Sequence, residues 1–149
     1  MDIREPTEAD IEAWAELRAL LWPEGPLAEH RDEALAALSA GDPDRLALLA
    51  IDPAGVVCGF AEAALRHDYV NGCETSPVAF LEGVFVSPGQ RGRGAGRALG
   101  AAVEAWGRRQ GCRELASDAL IDNRGSHAFH RAIGFQETER VVYFRKALL

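Results

Sequence analysis

Residues 78–110 read VAFLEGVFVSPGQRGRGAGRALGAAVEAWGRRQ and contain a strand, a glycine-rich turn and a helix, in that order. The nearly continuous apolar run predicts a buried strand over Val78–Val86, which Pro88 and Gly89 end. Helical spacing of apolar residues predicts a helix over Gly94–Gln110. A buried strand that leads through a turn into an amphipathic helix is typical of proteins that pack helices against a sheet.

The same patterns extend in both directions from this unit. Predicted strands lie at Met1–Arg4, Leu46–Ile51, Val56–Leu65, Glu114–Asp118 and Val141–Lys146. Predicted helices lie at Ile11–Leu21, Ala28–Ala40 and Asn123–Ile133. The order β-α-α-β-β-β-α-β-α-β, with its late crossovers, predicts an α/β or α+β fold with a mixed central sheet and helices on both faces.

The chain has 149 residues, which predicts a single domain over residues 1–149. A domain of this length buries enough surface to fold without disulfides. The N-terminus lacks the basic start and apolar core of a signal peptide. Cys58, Cys73 and Cys112 form no Cys-x-x-Cys pair, so we expect incidental thiols, no metal site and a reducing cytoplasm.

The net charge is −7, so nucleic acid is not an expected partner. No apolar run approaches the length of a membrane span, so no membrane partner is expected either. An acidic domain is better suited to attract a cation. The basic residues are nevertheless concentrated in one stretch, which predicts a local anion site: Arg91, Arg93, Arg97, Arg108 and Arg109.

The turn Arg91–Gly96 places glycines at alternate positions where a helix begins. Glycine lets the backbone approach a ligand closely, and the unpaired N–H groups of a helix N-terminus attract phosphate. A P-loop would need Lys followed by Ser or Thr, but Arg97 and Ala98 follow Gly96. The dinucleotide fingerprint counted from Gly92 fails as well, because its sixth position is Arg97. What remains is the pattern Arg/Gln-x-x-Gly-x-Gly/Ala or, alternatively, an ordinary turn with solvated arginines.

That pattern resembles the pyrophosphate loop of the GCN5-related N-acetyltransferases (GNAT). The resemblance extends to the preceding strand, the following helix and the Gly134-Phe135 pair. It implies the GNAT acyl-CoA acyltransferase fold and acetyl-CoA as cosubstrate. The residues that it assigns to the coenzyme are Val84, Phe85 and Val86 on the strand, Arg91, Gly92, Arg93, Gly94, Ala95 and Gly96 in the turn, and Asn123 on the last helix.

Several longer stretches are similar to the aminoglycoside 6′-N-acetyltransferases, which are bacterial resistance enzymes of that superfamily. They are Leu21-Trp22-Pro23, the run from Arg66 to Cys73, Phe80-Leu81-Glu82-Gly83, Ala116-Ser117-Asp118 and the run from Glu137 to Arg140. The resemblance implies an acetyltransferase that modifies the 6′-amino group of aminoglycosides and confers resistance. It also implies a homodimer.

The resemblance assigns five residues to the acceptor: Trp22, Tyr69, Glu82, Asp118 and Glu139. Aromatic faces suit sugar rings and ammonium groups, and carboxylates suit the amines of a polycation. Each residue also has an ordinary alternative, for example a core position for Trp22 or a solvated face for Glu139. The sequence departs from the family at one point, because Glu24-Gly25-Pro26 follow Pro23 where a His is common, and His30 comes later.

The implied reaction is direct attack of the amine on the thioester in a ternary complex. A backbone N–H on the strand Val84–Val86 would stabilise the developing oxyanion. Glu82 and Asp118, directly or through water, would accept the proton of the amine. His130 stands where many family members carry the Tyr that protonates the thiolate, and it could do that work or be a core or surface residue.

Three alternatives remain at this stage. A covalent acetyl-cysteine route has little support, because no His is evidently placed to activate a thiol. The acceptor could instead be another polyamine, another antibiotic or a protein amine. The protein could also be a non-catalytic acyl-CoA sensor, although a sensor has no need of a cation site.

Overall fold

The computed structural model describes residues 1–149 as one sheet with helices packed on it. The strands are β1 (Asp2–Arg4), β2 (Arg45–Ile51), β3 (Val57–Arg66), β4 (Val78–Val86) and β5 (Leu115–Ser117). The helices are α1 (Ile11–Leu21), α2 (Leu27–Ala40), α3 (Ala95–Arg109) and α4 (Arg124–Ala132). None of these helices combines the length and the apolar character that a bilayer crossing requires.

The sheet has the order β1-β2-β3-β4-β5. Its first four strands pair antiparallel, and β5 pairs parallel to β4 after the crossover through α3. The β4–β5 ladder is short and ends at the pair Leu81 and Ser117. Strand β4 continues to Val86, so the edge of β4 beyond Leu81 is left without a neighbouring strand on that side.

A β-bulge interrupts β4 at Glu82. Glu62 of β3 is opposite Gly83 and Ala63 is opposite Leu81, so Glu82 is the extra residue. A bulge of this kind bends the strand and changes the direction of a side chain. The bulge accounts for a carboxylate in the middle of an otherwise apolar strand.

Apolar side chains cover both faces of the sheet. On one face α1 and α2 bury a cluster that contains Trp14, Leu49 and Phe60. On the other face α3 packs Leu99 and Val103 against the sheet. The predicted mixed sheet with helices on both faces is therefore confirmed, because each face carries its own core.

The predicted strand over Val141–Lys146 is wrong. Residues 135–149 contain no helix or strand, and no strand of the chain pairs with them. The apolar side chains of this segment are turned out of the fold, with Tyr143 84% and Phe144 91% exposed. A run of apolar residues alone does not make a strand, because a strand needs a hydrogen-bonding partner along its length.

Candidate functional site

The glycine-rich turn leads directly into the first turn of α3. Gly92 and Gly94 have φ of 79° and 89°, a conformation that side chains with a Cβ rarely adopt. Gly94 is the residue before the helix, so the free N–H groups of the first turn follow it. Gly96 faces Phe129 of α4, and a Cβ there would lie 2.8 Å from the Phe129 ring. The turn is therefore open at Gly92 and Gly94, where a Cβ would meet nothing within 4 Å.

The arginines of the turn are anchored to backbone and side-chain oxygens. The Arg91 Nε donates to the Val86 carbonyl at 2.9 Å, and its guanidinium lies over the Phe85 ring. Arg93 donates to Gln90 and Arg97 donates to the Ala132 carbonyl. All three remain exposed, so positive charge surrounds the N-terminus of α3. This is the arrangement that a pyrophosphate requires.

Next to this turn lies the unpaired edge of β4, from Glu82 to Val86. Its backbone groups on the β5 side have no strand partner, because β5 ends at Ser117. A bound chain with amide groups could add to this edge as a strand would. An N–H of this edge is also available to an oxyanion, as the sequence predicted for Val84–Val86.

Asn123 is the residue that caps the N-terminus of α4. Its side-chain oxygen accepts a hydrogen bond from the Ser126 N–H at 3.1 Å. The residue is exposed at the start of the helix that packs on Gly96 through Phe129. Its position is compatible with the predicted contact to the coenzyme, and its oxygen is already engaged in capping.

On the other side of β4, Trp22 lies across the strand at Gly83. A Cβ on Gly83 would come within 2.5 Å of the indole, so only glycine permits this contact. The Arg18 guanidinium lies 4.9 Å from the ring, and His30 stacks at 6.5 Å and hydrogen-bonds the Trp22 carbonyl. The indole is half-buried and fixed, as a binding platform must be.

Glu82 lies beside this platform and is paired with Arg66. The two carboxylate oxygens are 3.2 and 3.1 Å from the Arg66 Nη2, and the Glu82 side chain is 32% exposed. Asp118 directly follows Ser117, the residue opposite Leu81, so both carboxylates lie where the β4–β5 ladder ends. An ammonium group at this point would share Glu82 with Arg66.

Tyr69 and Glu139 lie on two exposed segments that touch each other. Thr138 packs against Gly72, where a Cβ would be only 2.2 Å from its hydroxyl. Tyr69 is 74% exposed, and Glu139 is exposed as well. The tail therefore brings Glu139 beside the loop that carries Tyr69, and neither side chain is packed in the fold.

Glu114 anchors that loop, and sequence reasoning missed it. One carboxylate oxygen accepts from the backbone N–H groups of Glu74 and Thr75 and from the Thr75 hydroxyl. The Thr75 hydroxyl, followed by the Glu74 N–H, lowers the pKa of Glu114. Glu114 immediately precedes β5, so the loop is attached to the sheet at the start of β5, and Asp118 follows the other end of that strand.

An open cavity of about 1240 Å³ contains Trp22 and Glu82 but not Tyr69, Asp118 or Glu139. Its wall includes acidic residues that the sequence did not single out, namely Glu24, Glu29, Glu33 and Glu62. Arg18 is buried among them and pairs with Glu33 and Glu62. The acidic residues spaced four apart on α2, Glu29 and Glu33, were the available sequence signal. The net field of this wall favours a polycation.

The geometry combines a backbone anion cradle, an unpaired strand edge and an acidic cleft along one strand. The sequence model described as Acetyltransferase (GNAT) family matches residues 11–135. The chain belongs to the GNAT family of acetyltransferases.

Relatives named aminoglycoside N(6′)-acetyltransferase type 1 align over almost the whole GNAT chain. The relative from Stenotrophomonas maltophilia is 54% identical, over 98% of this chain and 93% of its own. The relative from Salmonella enteritidis is 49% identical, over 98% and 99%.

Solved structures agree with these relatives. AAC(6′)-Iy in complex with the bisubstrate analogue CoA-S-monomethyl-acetylneamine is 46% identical, with a TM-score of 0.89 over 99% of this chain and 98% of that chain. The AAC(6′)-Ig apoenzyme from Acinetobacter haemolyticus is 44% identical, with a TM-score of 0.91 over 99% of each chain.

Within this GNAT chain, His130 connects α4 to the sheet. Its Nε2 lies 2.8 Å from the Ser117 hydroxyl, and its Nδ1 lies 2.7 Å from the Ser126 carbonyl. Phe129 and Phe135 pack edge-on against the imidazole. The predicted acid is thus held at the end of β5, next to Asp118.

The three thiols are poor nucleophiles in this GNAT chain. Burial raises the pKa of Cys58 and of Cys112, and burial followed by the nearby Glu114 carboxylate raises that of Cys73. Each thiol is therefore protonated at neutral pH. No group of three or more His, Cys, Asp or Glu side chains is placed to hold a metal ion.

Proposed function

We propose that this protein transfers the acetyl group of acetyl-CoA to the 6′-amino group of aminoglycosides by direct attack in a ternary complex. The observation that carries the proposal is the arrangement around β4, where a coenzyme edge and an acidic, aromatic cleft meet at one bulge. The similarity to AAC(6′)-Iy supports it, because that enzyme holds a single analogue that joins CoA to acetylneamine. The named relatives support the same acceptor.

For the coenzyme, we propose contacts from three segments of the chain. The backbone N–H groups of the turn and of the first turn of α3 bind the pyrophosphate, and the arginines add charge. The edge of β4 binds the amide groups of the arm as an added strand. Asn123 contributes from the start of α4. The residues proposed are Val84, Phe85 and Val86, then Arg91, Gly92, Arg93, Gly94, Ala95 and Gly96, and Asn123.

For the acceptor, we propose that Trp22 supports a sugar ring and that Tyr69 covers it from the loop. The carboxylates of Glu82, Asp118 and Glu139 bind its ammonium groups. Arg66 tunes this set, because it neutralises Glu82 until an ammonium group competes for the same oxygens. The acidic wall around Glu33 and Glu62 attracts the polycation toward the cleft.

The chain supplies four functions to the reaction. Binding both substrates on β4 places the amine against the thioester. A backbone N–H of the Val84–Val86 edge stabilises the oxyanion. Glu82 and Asp118, directly or through water, accept the proton that the attacking amine loses. His130 supplies the proton for the departing thiolate.

Direct transfer is favoured over an acetyl-cysteine intermediate by the raised pKa values of the three thiols. Replacing Cys58, Cys73 and Cys112 one at a time by Ala should leave turnover close to that of the wild type. Near-total loss in any one variant that still folds and binds coenzyme A would exclude direct transfer.

The acceptor is tested by thiol release from acetyl-CoA with matched aminoglycosides. We expect thiol release with a compound that carries a 6′-amine and no thiol release with its 6′-hydroxyl analogue. Spermidine and peptide amines test the alternative acceptors in the same assay. Thiol release with spermidine or a peptide, but with no aminoglycoside, would show that the acceptor is not an aminoglycoside. Tight binding of acetyl-CoA with no thiol release in the presence of any amine would indicate a sensor.

Acetylation of a 6′-amine removes a cationic donor from the antibiotic, so we propose that the protein confers resistance. We also propose that it acts in the cytoplasm, where acetyl-CoA is available and three free thiols are stable. Expression in a susceptible bacterium should raise the inhibitory concentration of the 6′-amino compound only.

We further propose a homodimer held by the C-terminal segment Val141–Lys146. This apolar segment has no partner within its own chain, and β5 is an edge strand of the sheet. Beside β5 lies a groove of about 570 Å³ whose wall includes Arg113–Ser117, Asn71–Cys73 and Ile133–Gln136. An exposed apolar segment and an open edge of this kind favour pairing between two copies.

The dimer is tested by light scattering during size-exclusion chromatography. The full chain should elute as a dimer, and the double variant Tyr143→Asp/Phe144→Asp should elute as a monomer. The matched control Leu120→Asp, on an exposed loop outside the segment, should remain dimeric. A monomeric full chain would exclude this arrangement.

A further inference from the structure

Four hydrogen bonds form a network that runs from α4 through Ser117 of β5 to Leu81 of β4, at the end of the parallel ladder. Nδ1 of His130 lies 2.7 Å from the Ser126 carbonyl and 3.3 Å from the Ser126 hydroxyl. Its Nε2 lies 2.8 Å from the Ser117 Oγ, and that hydroxyl lies 3.2 Å from the Leu81 carbonyl. Both ring nitrogens of the imidazole are therefore engaged, and Ser117 stands between the ring and β4.

The number of protons available to His130 and Ser117 determines which group donates in each of these hydrogen bonds. A carbonyl oxygen can only accept, so Nδ1 donates to Ser126 in every state. When Nε2 also carries a proton, it donates to Ser117, and the Ser117 hydroxyl donates to Leu81. When Nε2 is unprotonated, the single Ser117 proton turns to Nε2 instead. Rotation of the Ser117 hydroxyl thus accommodates both the protonated and the unprotonated Nε2 without moving a heavy atom.

The position of Ser117 matches the expected end of the coenzyme arm. The cradle at Arg91–Gly96 is at one end of the open edge of β4, and Leu81 is at the other. An arm that leaves the cradle and pairs with Val84–Val86 therefore runs toward Gly83 and Leu81. Its thioester sulfur arrives where Ser117 covers the Leu81 carbonyl, whereas His130 lies one hydrogen bond further away.

We propose that Ser117 is a catalytic residue that hands the proton to the departing sulfur, and that His130 recharges it. As the C–S bond breaks, the electron pair goes to sulfur, which takes the Ser117 Oγ–H proton. The Ser117 oxygen takes the Nε2 proton of His130 at the same time, so the hydroxyl is never left ionised. The step gives neutral His130 and the free thiol, and the half-exposed imidazole regains its proton from solvent. This inference rests on the proposed acetyl transfer and not on which amine is the acceptor.

The test compares single-turnover acetyl transfer in five proteins: wild type, Ser117→Ala, Ser117→Thr, His130→Gln and the double variant Ser117→Ala/His130→Gln. Ser117→Thr keeps the hydroxyl, and His130→Gln keeps hydrogen bonding but cannot transfer a proton. We expect Ser117→Ala and His130→Gln each to lose about 100-fold in rate, as removal of a general acid does. Ser117→Thr should stay close to the wild type, and coenzyme A binding should be unchanged in all.

Two readouts separate a relay from a structural role. The double variant should be no slower than either single variant, because residues that act as one unit are not additive. The wild-type rate should fall in D₂O, and this solvent isotope effect should shrink in Ser117→Ala and His130→Gln. A purely structural hydroxyl would leave the isotope effect unchanged.

The relay is wrong if Ser117→Ala transfers at the wild-type rate, if Ser117→Thr is as slow as Ser117→Ala, or if the two single losses multiply. Should Ser117→Ala fail to fold, the isotope effect in His130→Gln decides the question, because His130 is not part of the sheet. Failure of the proposed function looks different. In that case wild type itself releases no thiol with aminoglycosides, and the same five proteins are compared on whichever amine it does acetylate.

Discussion

The two sides of β4 are built in different ways. The proposed coenzyme side is one continuous stretch, from the open strand edge through Arg91–Gly96 into α3, and the groups that it offers to a ligand are mainly backbone N–H. The proposed acceptor site draws on side chains from five separate segments, at Trp22, Tyr69, Glu82, Asp118 and Glu139. A contiguous backbone site forms as soon as the local fold forms, whereas the acceptor site requires the whole tertiary structure.

This difference has a functional consequence. Backbone groups suit a ligand that does not vary, and the proposed reaction uses the same coenzyme whichever amine it acetylates. Side chains on loops can change without disturbing the sheet, so we expect acceptor choice to depend on them. Substitutions on the two sides should therefore affect different kinetic parameters, and four predictions test that separation.

The largest expected effect is on the coenzyme side. Gly96→Val places a branched side chain 2.8 Å from the Phe129 ring, in the first turn of α3. It should weaken coenzyme A binding by about 100-fold, which is roughly 2.7 kcal/mol, and leave aminoglycoside binding unchanged. Calorimetric titration measures both. Gly89→Ala is the control, because a Cβ there meets nothing within 4 Å. Equal affinity in wild type and Gly96→Val would contradict the assignment of the cradle.

The acceptor side should respond in the opposite way. Glu82→Gln keeps the shape of the bulged residue but removes its charge, so kcat/KM for the aminoglycoside should fall about 100-fold. The dissociation constant of coenzyme A should not change. Glu104→Gln removes a similar ion pair, with Arg108 on the exposed face of α3, and should change neither kcat/KM nor the dissociation constant of coenzyme A. A loss in coenzyme affinity with Glu82→Gln would break the separation.

A smaller effect is expected where the two sides touch. Gly83→Ala pushes a methyl group into the Trp22 indole and should raise KM for the aminoglycoside about 10-fold, the size of one lost aromatic contact. Because the clash acts through Trp22, the same substitution should cost little more in a Trp22→Ala background. Steady-state kinetics of the four proteins form the cycle. Additive losses would show that Gly83 acts without Trp22.

The smallest effect is on stability and should leave both sides active. Asp10 lies just before α1 and accepts hydrogen bonds from Arg4 and from the Thr7 N–H, each at 2.7 Å. The hydrogen bond from the Arg4 guanidinium is the main reason that the pKa of Asp10 is lowered from 3.8 to about 2. The stabilisation is complete above pH 3.8 and is lost as the pH falls toward 2. Asp10→Asn should cost about 1 kcal/mol at pH 7, with kcat unchanged.

Urea unfolding at pH 7 and at low pH measures this contribution. The difference between wild type and Asp10→Asn should shrink as Asp10 protonates. A difference that is the same at both pH values would show that the charge of Asp10 does not contribute.

Much of the fold could be predicted from the sequence because it depends on local periodicity. The strand over Val78–Val86 has the predicted bounds, and the helices at Ile11–Leu21, Leu27–Ala40 and Ala95–Arg109 lie within a residue or so of prediction. The predicted strand over Val141–Lys146 was wrong, because a run of apolar residues does not show whether a neighbouring strand is present to pair with it.

The site was predicted only in part, for a related reason. The coenzyme turn is contiguous, so its glycines and arginines could be recognised together. The Arg66 partner of Glu82, the Glu114 anchor of the Tyr69 loop and the Ser117 contact with His130 join residues that are 16, 39 and 13 positions apart. Such pairings depend on strand register and helix packing, which a pattern of single residues does not contain.

In the proposed reaction, coenzyme and amine approach one another across the bulge of β4. A crystal structure with coenzyme A and a 6′-amino aminoglycoside tests it most directly. In that complex the pyrophosphate should lie on the backbone N–H groups of Arg91–Gly96, the 6′-amine between Glu82 and Asp118, and the sulfur beside Ser117. An aminoglycoside bound elsewhere, with its 6′-amine away from the bulge and the sulfur, would contradict it.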